Sequence, residues 1–266
     1  MKGQRFWLAV QFLTRLPVPR GVAYDPAAFH AAVGYFPLVG LVLGLSYALV
    51  DAVGRGLFGT PAVSSLLVVG SMLLVTGALH HDGLMDTADG LLSNRPREEM
   101  LAIMRDSRVG AMGALAGSFA LLAQWVLLTA LPEPVRAGVL VGAPALSRWA
   151  VVWAMGQWPY AREGGSVAGQ LGRSVTARTL AVATGWALLA WAVALAVLAW
   201  PLTRSGAALA SWAAFALLAP AAAWGTYRGL ARCAAARLGG LTGDVYGAIA
   251  VATEVAVLAV AVACVR

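Results

Sequence analysis

The chain has 266 residues, 60% of them hydrophobic and 12% charged, where an average soluble domain carries about 25% charged residues. Too few charges remain to cover the cores such a chain would build in water, which excludes an ordinary soluble domain. The net charge of +7 comes from 19 basic residues, all but one of them arginine, and their placement fits a lipid bilayer as partner rather than nucleic acid.

Phe6 to Leu16 comes first. This stretch carries Arg15, follows Arg5 and ends in Leu16-Pro17-Val18-Pro19. No small-residue cleavage site follows a clean apolar core, so it reads as a short amphipathic helix on the membrane surface, not a secretory signal. Apolar runs then recur at 31–53, 61–79, 111–131, 137–156, 179–202, 206–227 and 245–265. Each is close to the ~20 residues that carry a helix across the hydrocarbon core. The expected fold is therefore all-α: a polytopic helical membrane protein of about seven transmembrane helices, forming one domain over residues 1–266. Pro144 and Arg148 interrupt the run at 137–156 and make it the weakest of the seven.

Fourteen of the 19 basic residues fall in the N-terminal segment and in 82–110, 157–178 and 228–242. The positive-inside rule puts these segments in the cytoplasm and, with seven spans, the C-terminus outside. Cys233 and Cys264 have no metal-type spacing and map to opposite faces, which argues against a disulfide.

The acids carry the chemical information. Four of the seven aspartates lie between residues 82 and 106. The run His80-His81-Asp82-Gly83-Leu84-Met85-Asp86-Thr87-Ala88-Asp89-Gly90 closes the second apolar run. Spacings of four and three residues place Asp82, Asp86 and Asp89 within about 60° of each other on one helical face. Three carboxylates there repel one another, and a divalent cation with oxygen ligands, Mg²⁺ or Mn²⁺, would neutralise them. A helix dipole favours acids at a helix start, whereas this run continues an apolar span unless a new helix begins at Asp82. His80 is taken as a substrate contact and His81 as a hydrogen-bonding residue.

Arg105-Asp106-Ser107-Arg108-Val109-Gly110 follows. Arginine forks match phosphate oxygens, and Gly110 permits close backbone approach. Two later segments look like partners: Trp158-Pro159-Tyr160-Ala161-Arg162-Glu163-Gly164-Gly165, and Leu238-Gly239-Gly240-Leu241-Thr242-Gly243-Asp244, which leads into a span containing Glu254. An ionisable residue inside a span is a functional candidate by default. Glu254, ~15 Å along a helix from Asp244, is expected to support the site or to pair with Arg148.

Taken together these segments resemble the cobalamin synthase family, the adenosylcobinamide-GDP ribazoletransferases of bacterial vitamin B12 assembly. The resemblance runs the length of the chain. It includes Phe12-Leu13-Thr14-Arg15-Leu16-Pro17-Val18-Pro19 and Tyr35-Phe36-Pro37-Leu38-Val39-Gly40, the His80–Gly90 and Met104–Gly110 runs, Pro159–Gly164 and Leu241–Asp244. One departure is Val251, standing between Asp244 and Glu254 where a further acid is expected. The resemblance implies an integral-membrane, Mg²⁺-dependent transferase of the bacterial inner membrane with its site facing the cytoplasm. Its corrinoid and nucleoside substrates would be adenosylcobinamide-GDP and α-ribazole or its 5′-phosphate, giving adenosylcobalamin or its 5′-phosphate and GMP. On that basis Asp82, Asp86, Asp89 and Asp244 are expected at the metal, and Asp82 and Asp106 in catalysis. Arg105, Arg108, Arg162 and His80 are expected at substrate phosphates. A homo-oligomer, or a complex with other late B12 enzymes, is compatible with this picture.

Two other classes compete. A CDP-alcohol-type membrane phosphotransferase also uses spaced aspartates, but its pattern continues from Asp-Gly to Ala-Arg, whereas Asp89-Gly90 runs into Leu91-Leu92-Ser93-Asn94. An ion-coupled transporter would place its acids near mid-span on paired broken helices.

Overall fold

The computed structural model describes residues 2–22, 25–162, 167–205 and 209–264. Among them the regular structure is helical, apart from one isolated bridge between Tyr160 and Leu241. Helix α1 spans Lys2–Leu13 and α2 Pro26–Ala32, and a 3-10 turn at Val33–Tyr35 leads into α3, Phe36–Phe58. Then come α4 (Pro61–Thr76), α5 (Leu79–Leu92), α6 (Arg97–Ile103), α7 (Ala111–Ala130) and α8 (Glu133–Gln157). The last four are α9 (Val167–Arg173), α10 (Ala177–Ser205), α11 (Leu209–Leu238) and α12 (Gly243–Cys264).

Local sequence explains many of the boundaries. Asp25 caps α2 by accepting from the Ala28 N–H, with Pro26 at the first helical position. Thr60 caps α4 the same way through Val63 N–H, ahead of Pro61. Gly59 and Gly77 end α3 and α4 in the left-handed conformation, where a residue without Cβ fits.

Five stretches are long and apolar enough to cross a membrane: Pro26–Phe58, Ala111–Ala130, Val135–Gln157, Ala177–Ala199 and Gly243–Cys264. Helices α4 and α5 qualify only as a pair, and they are bent by 87°. The described residues thus hold five continuous crossings and one broken one, where seven unbroken runs were expected. The second run breaks because Gly77 and Ala78 both take positive φ, 61° and 57°, leaving α4 at 16 residues. That is about 24 Å, short of the ~30 Å core. The run at 206–227 begins partly outside the described residues. It enters α11, whose second half carries Arg228, Arg232 and Arg237.

Helix α8 is the centre of the bundle, with 89% of its crossing stretch buried against 28% for α7 and for α10. It is the run that Pro144 and Arg148 made look weakest. Small residues let its neighbours approach closely. A Cβ on Gly40 of α3 would lie 2.5 Å from the Pro144 carbonyl, and one on Gly44 would lie 2.6 Å from Leu140 O. Arg148 is tolerated because it pairs with Glu254 of α12, as one of the two sequence expectations held. Glu254 also accepts from Gln124, whose Oε1 meets His81 Nε2 at 3.0 Å. Every charge in this buried chain has a partner, which the bilayer interior demands. Helix α1 is amphipathic as expected, and it buries Leu8, Ala9, Val10 and Leu13 in the core shared with α2 and α3.

Candidate active site

The break at Gly77–Ala78 starts a new helix, so Asp82 sits in the first turn of α5, where the helix dipole favours it. The expectation that the acids close the second span is corrected on this point. Asp86 and Asp89 lie further along α5, beyond the dipole's reach, and need other partners.

Glycines fix where α5 goes. It crosses the start of α12 backbone to backbone: a Cβ on Gly83 would sit 2.8 Å from Asp244 O, and one on Gly247 2.9 Å from His80 O. That contact brings Asp82 and Asp86 beside Asp244, 158 residues beyond Asp86 in sequence. At its far end α5 meets α7. Asp89 accepts from Gly110 N–H at 2.8 Å and Gly113 N–H at 2.7 Å, capping α7 from outside. A Cβ on either glycine would come within 2.3 Å of an Asp89 oxygen. The close approach at Gly110 is thus made by Asp89.

Two loops close the site. Ala161 N–H donates to Leu241 O at 2.7 Å and Leu241 N–H to Pro159 O at 2.8 Å, joining the two partner segments. Arg97 of α6 holds both, donating to Leu238 O and Ala161 O. This staple sets Arg162 against Asp244 at 2.7 Å. Thr242, fully buried, donates to the same Asp244 oxygen at 3.2 Å.

The site residues named from sequence are therefore only partly gathered. Asp82, Asp86, Asp244 and Arg162 come together, with His80 buried alongside. Asp82 is exposed and Asp86 half-buried, and neither carboxylate makes a hydrogen bond or ion pair among the described residues. Asp86 feels the negative charge of Asp82, Asp244 and Asp89, and among the described groups Arg162 is the counterweight. Asp106 and Arg108 stand on an exposed loop and pair with each other at 2.6 Å. The Arg108 hydrogen bonds hold the Asp106 carboxyl down at about 2, too weak a base to take a proton readily near neutrality. Arg105 is exposed and has no partner among the described residues. Glu163 and Gly164 lie outside the described residues.

Among the described residues no three His, Cys, Asp or Glu side chains are already gathered as a metal-binding group. The donor chemistry nonetheless fits a hard cation. Two carboxylates without partners among the described residues, Asp82 and Asp86, match the one or two that typically hold Mg²⁺ while substrate phosphates and water complete its shell. Asp89 has both oxygens engaged and Asp244 is shared with Arg162, so each has fewer lone pairs to offer.

Sequence reasoning missed Arg97 and Thr242. Arg97 counted as one more cytoplasmic positive charge, and nothing local distinguishes an arginine that binds two backbone carbonyls. Thr242 carried one signal, a hydroxyl two residues before an acid at a helix start.

Fold and site together define a polytopic helical membrane protein with an acid-rich, arginine-countered pocket at one end of its bundle. A sequence model of the family described as Cobalamin-5-phosphate synthase matches residues 5–262, and the chain belongs to that family. It is 36% identical to an adenosylcobinamide-GDP ribazoletransferase of Brevibacillus brevis, over 97% of each chain. A relative of the same description from Rhizobium meliloti is 40% identical over 94% of this chain and 92% of its own, and one from Desulfitobacterium hafniense 37% over 92% and 91%. No solved structure matches the chain.

Proposed function

We propose that the chain is an adenosylcobinamide-GDP ribazoletransferase, joining adenosylcobinamide-GDP to α-ribazole or its 5′-phosphate with release of GMP. The observation that carries this reading is the pair of unpartnered carboxylates, Asp82 and Asp86, beside the Arg162–Asp244 pair in a member of this family. Membership of the family does not favour the CDP-alcohol phosphotransferase or the transporter.

The reaction moves one bond. The ribazole hydroxyl oxygen attacks the phosphorus attached to the cobinamide arm, the phosphoanhydride bond breaks, and GMP leaves with the electron pair. Asp82, exposed at the pocket wall, is positioned to take the hydroxyl proton. Arg162 contacts the phosphates, and Asp244 and Thr242 hold it in place. Arg105, exposed on the α6–α7 loop, and Arg108 once it exchanges Asp106 for substrate, draw the diphosphate to the pocket mouth. His80 borders the attacking group. Asp89 acts indirectly, by fixing α5 against α7. Mg²⁺, held by Asp82 and Asp86 with support from Asp244, would supply neutralisation of the charge that develops on the phosphate oxygens. The excess of arginine in the segments at this end supports a site that faces the cytoplasm, and the bacterial relatives support the inner membrane as its location.

Purified protein in lipid vesicles tests the reading. Supplied with adenosylcobinamide-GDP and α-ribazole, it should form GMP and a corrinoid product one for one, and a chelator should stop both. Folded protein that forms no corrinoid product would sink the assignment.

A further inference from the structure

Beside the acids lies a cavity of about 240 Å³. Asp82 and Asp244 form part of its wall, and most of the remainder is apolar. Phe12 of α1 and Phe36 of α3 both line it, stacked on one another with centroids 5.7 Å apart and planes 14° from parallel. Met155 of the central helix α8 and Tyr246 of α12 also line it. These aromatic residues give a role to two motifs that the sequence singled out without any chemistry, Phe12-Leu13-Thr14-Arg15 and Tyr35-Phe36-Pro37.

Besides the acids, one polar side chain in this wall awaits a partner, His80. The Tyr246 hydroxyl is sealed from the cavity, lying beside Gly172 of α9, and only the rest of its side chain lines the wall. The His80 side chain is buried and makes no hydrogen bond among the described residues. A ligand that gives this imidazole a hydrogen-bond partner is favoured.

We propose that this cavity holds the base of the acceptor nucleoside, a flat and largely apolar bicyclic ring of the benzimidazole type. The base lies between the Phe12–Phe36 pair and Met155, its ring nitrogen meets His80, and its sugar points toward Asp82 and Asp244. The inference rests on the transferase reading and assigns one of its two substrates to a place. The cavity is far too small for a corrin macrocycle, which stays outside it. Guanine is bicyclic too, but its several donors and acceptors would face largely apolar walls with His80 to meet them, at a cost in unmade hydrogen bonds.

The test separates the two substrates. Met155→Trp fills the cavity and should raise KM for α-ribazole by about tenfold or more, leaving KM for adenosylcobinamide-GDP within about twofold. His80→Leu removes the polar partner and should raise the same KM by a smaller factor. If Met155→Trp does not fold, Met155→Ala takes its place: it enlarges the cavity and should shift preference toward bulkier base analogues. An unchanged α-ribazole KM in the variants that fold would overturn the proposal. A rise confined to adenosylcobinamide-GDP would overturn it as well and would place guanine there instead. Binding of α-ribazole alone, followed by tryptophan fluorescence, distinguishes the two failures. Wild-type protein that binds α-ribazole, loses it in Met155→Trp and releases no GMP would keep the cavity assignment and remove the transferase reading. Wild-type protein that turns over while the variants bind α-ribazole normally would do the reverse.

Discussion

Two groups of charges, both on helices of one bundle, behave in opposite ways. Asp51 of α3 is buried and meets Arg136 of α8 and Arg55. Arg136 also donates to Ser64, Ser65 and the Leu128 carbonyl, so every charge there is answered by protein. The other group lies at the α5–α12 crossing. There the Asp82 and Asp86 carboxylates have no partner among the described residues, and among these Arg162 serves the whole set. Asp51 stands fifteen residues along α3 from Phe36, ~22 Å from the cavity wall. A balanced cluster holds helices together, whereas an unbalanced one is stabilised only when a ligand brings the missing charge. The difference distinguishes a structural ion pair from a site, although both are made of the same residue types.

Changing each group should therefore do opposite things. The largest effect is expected for Asp82→Asn combined with Asp86→Asn. Turnover should fall by about a thousandfold or more, while thermal stability in detergent holds or rises because the repulsion is gone. A double variant that unfolds instead would show that these acids are structural.

Next comes Asp51→Ala, which strands Arg136 in the core and should cost about 3–5 kcal/mol of stability. The protein that remains folded should turn over normally. Replacing both partners, Asp51→Leu with Arg136→Met, should restore most of the loss, since a buried pair is often matched by apolar residues of similar volume. Thermal unfolding followed by GMP release on the folded fraction reads both.

A smaller effect is expected at the α5–α7 contact. Gly110→Ala would push its Cβ against Asp89 and loosen the cap of α7, a loss of about 1–3 kcal/mol. The double variant Gly110→Ala with Asp89→Ala should lose less than the two single losses added, because both act on one contact.

The smallest effect concerns Asp106. Its carboxyl is held at about 2 by Arg108, below its ordinary value, so its contribution is present above about pH 4 and fades as pH falls through about 2. The pair sits on the surface, and Asp106→Asn should leave the pH profile of turnover between pH 5 and 8 unchanged. A base limb lost in that variant would make Asp106 the proton acceptor after all.

Much of this was legible in the chain, for identifiable reasons. Apolar runs gave the helices and the bilayer, because length and hydropathy are properties of contiguous sequence. The i, i+4, i+7 spacing gave the acid face, and Glu254 pointed to Arg148 because a lone charge in a span needs a partner. What escaped notice depends on backbone conformation or on distant contact. Ala78 at φ 57° breaks the second run, yet Ala-Leu-His-His carries no breaker beyond the preceding Gly77. Asp89 looked like a third metal ligand because the helix that it caps begins 22 residues later. The Arg97 staple joins residues 64 and 141 positions away, and no local pattern marks such a pair.

The central claim is that the unpartnered acids of α5 serve substrate chemistry through a bound cation. Its most direct test is the Mg²⁺ dependence of GMP release by wild-type protein and Asp86→Asn, measured in the same vesicles with both substrates saturating. The account predicts that Asp86→Asn loses most of its rate and needs at least about tenfold more Mg²⁺ to reach half of what remains. An Asp86→Asn protein with full rate and an unchanged Mg²⁺ requirement would contradict it.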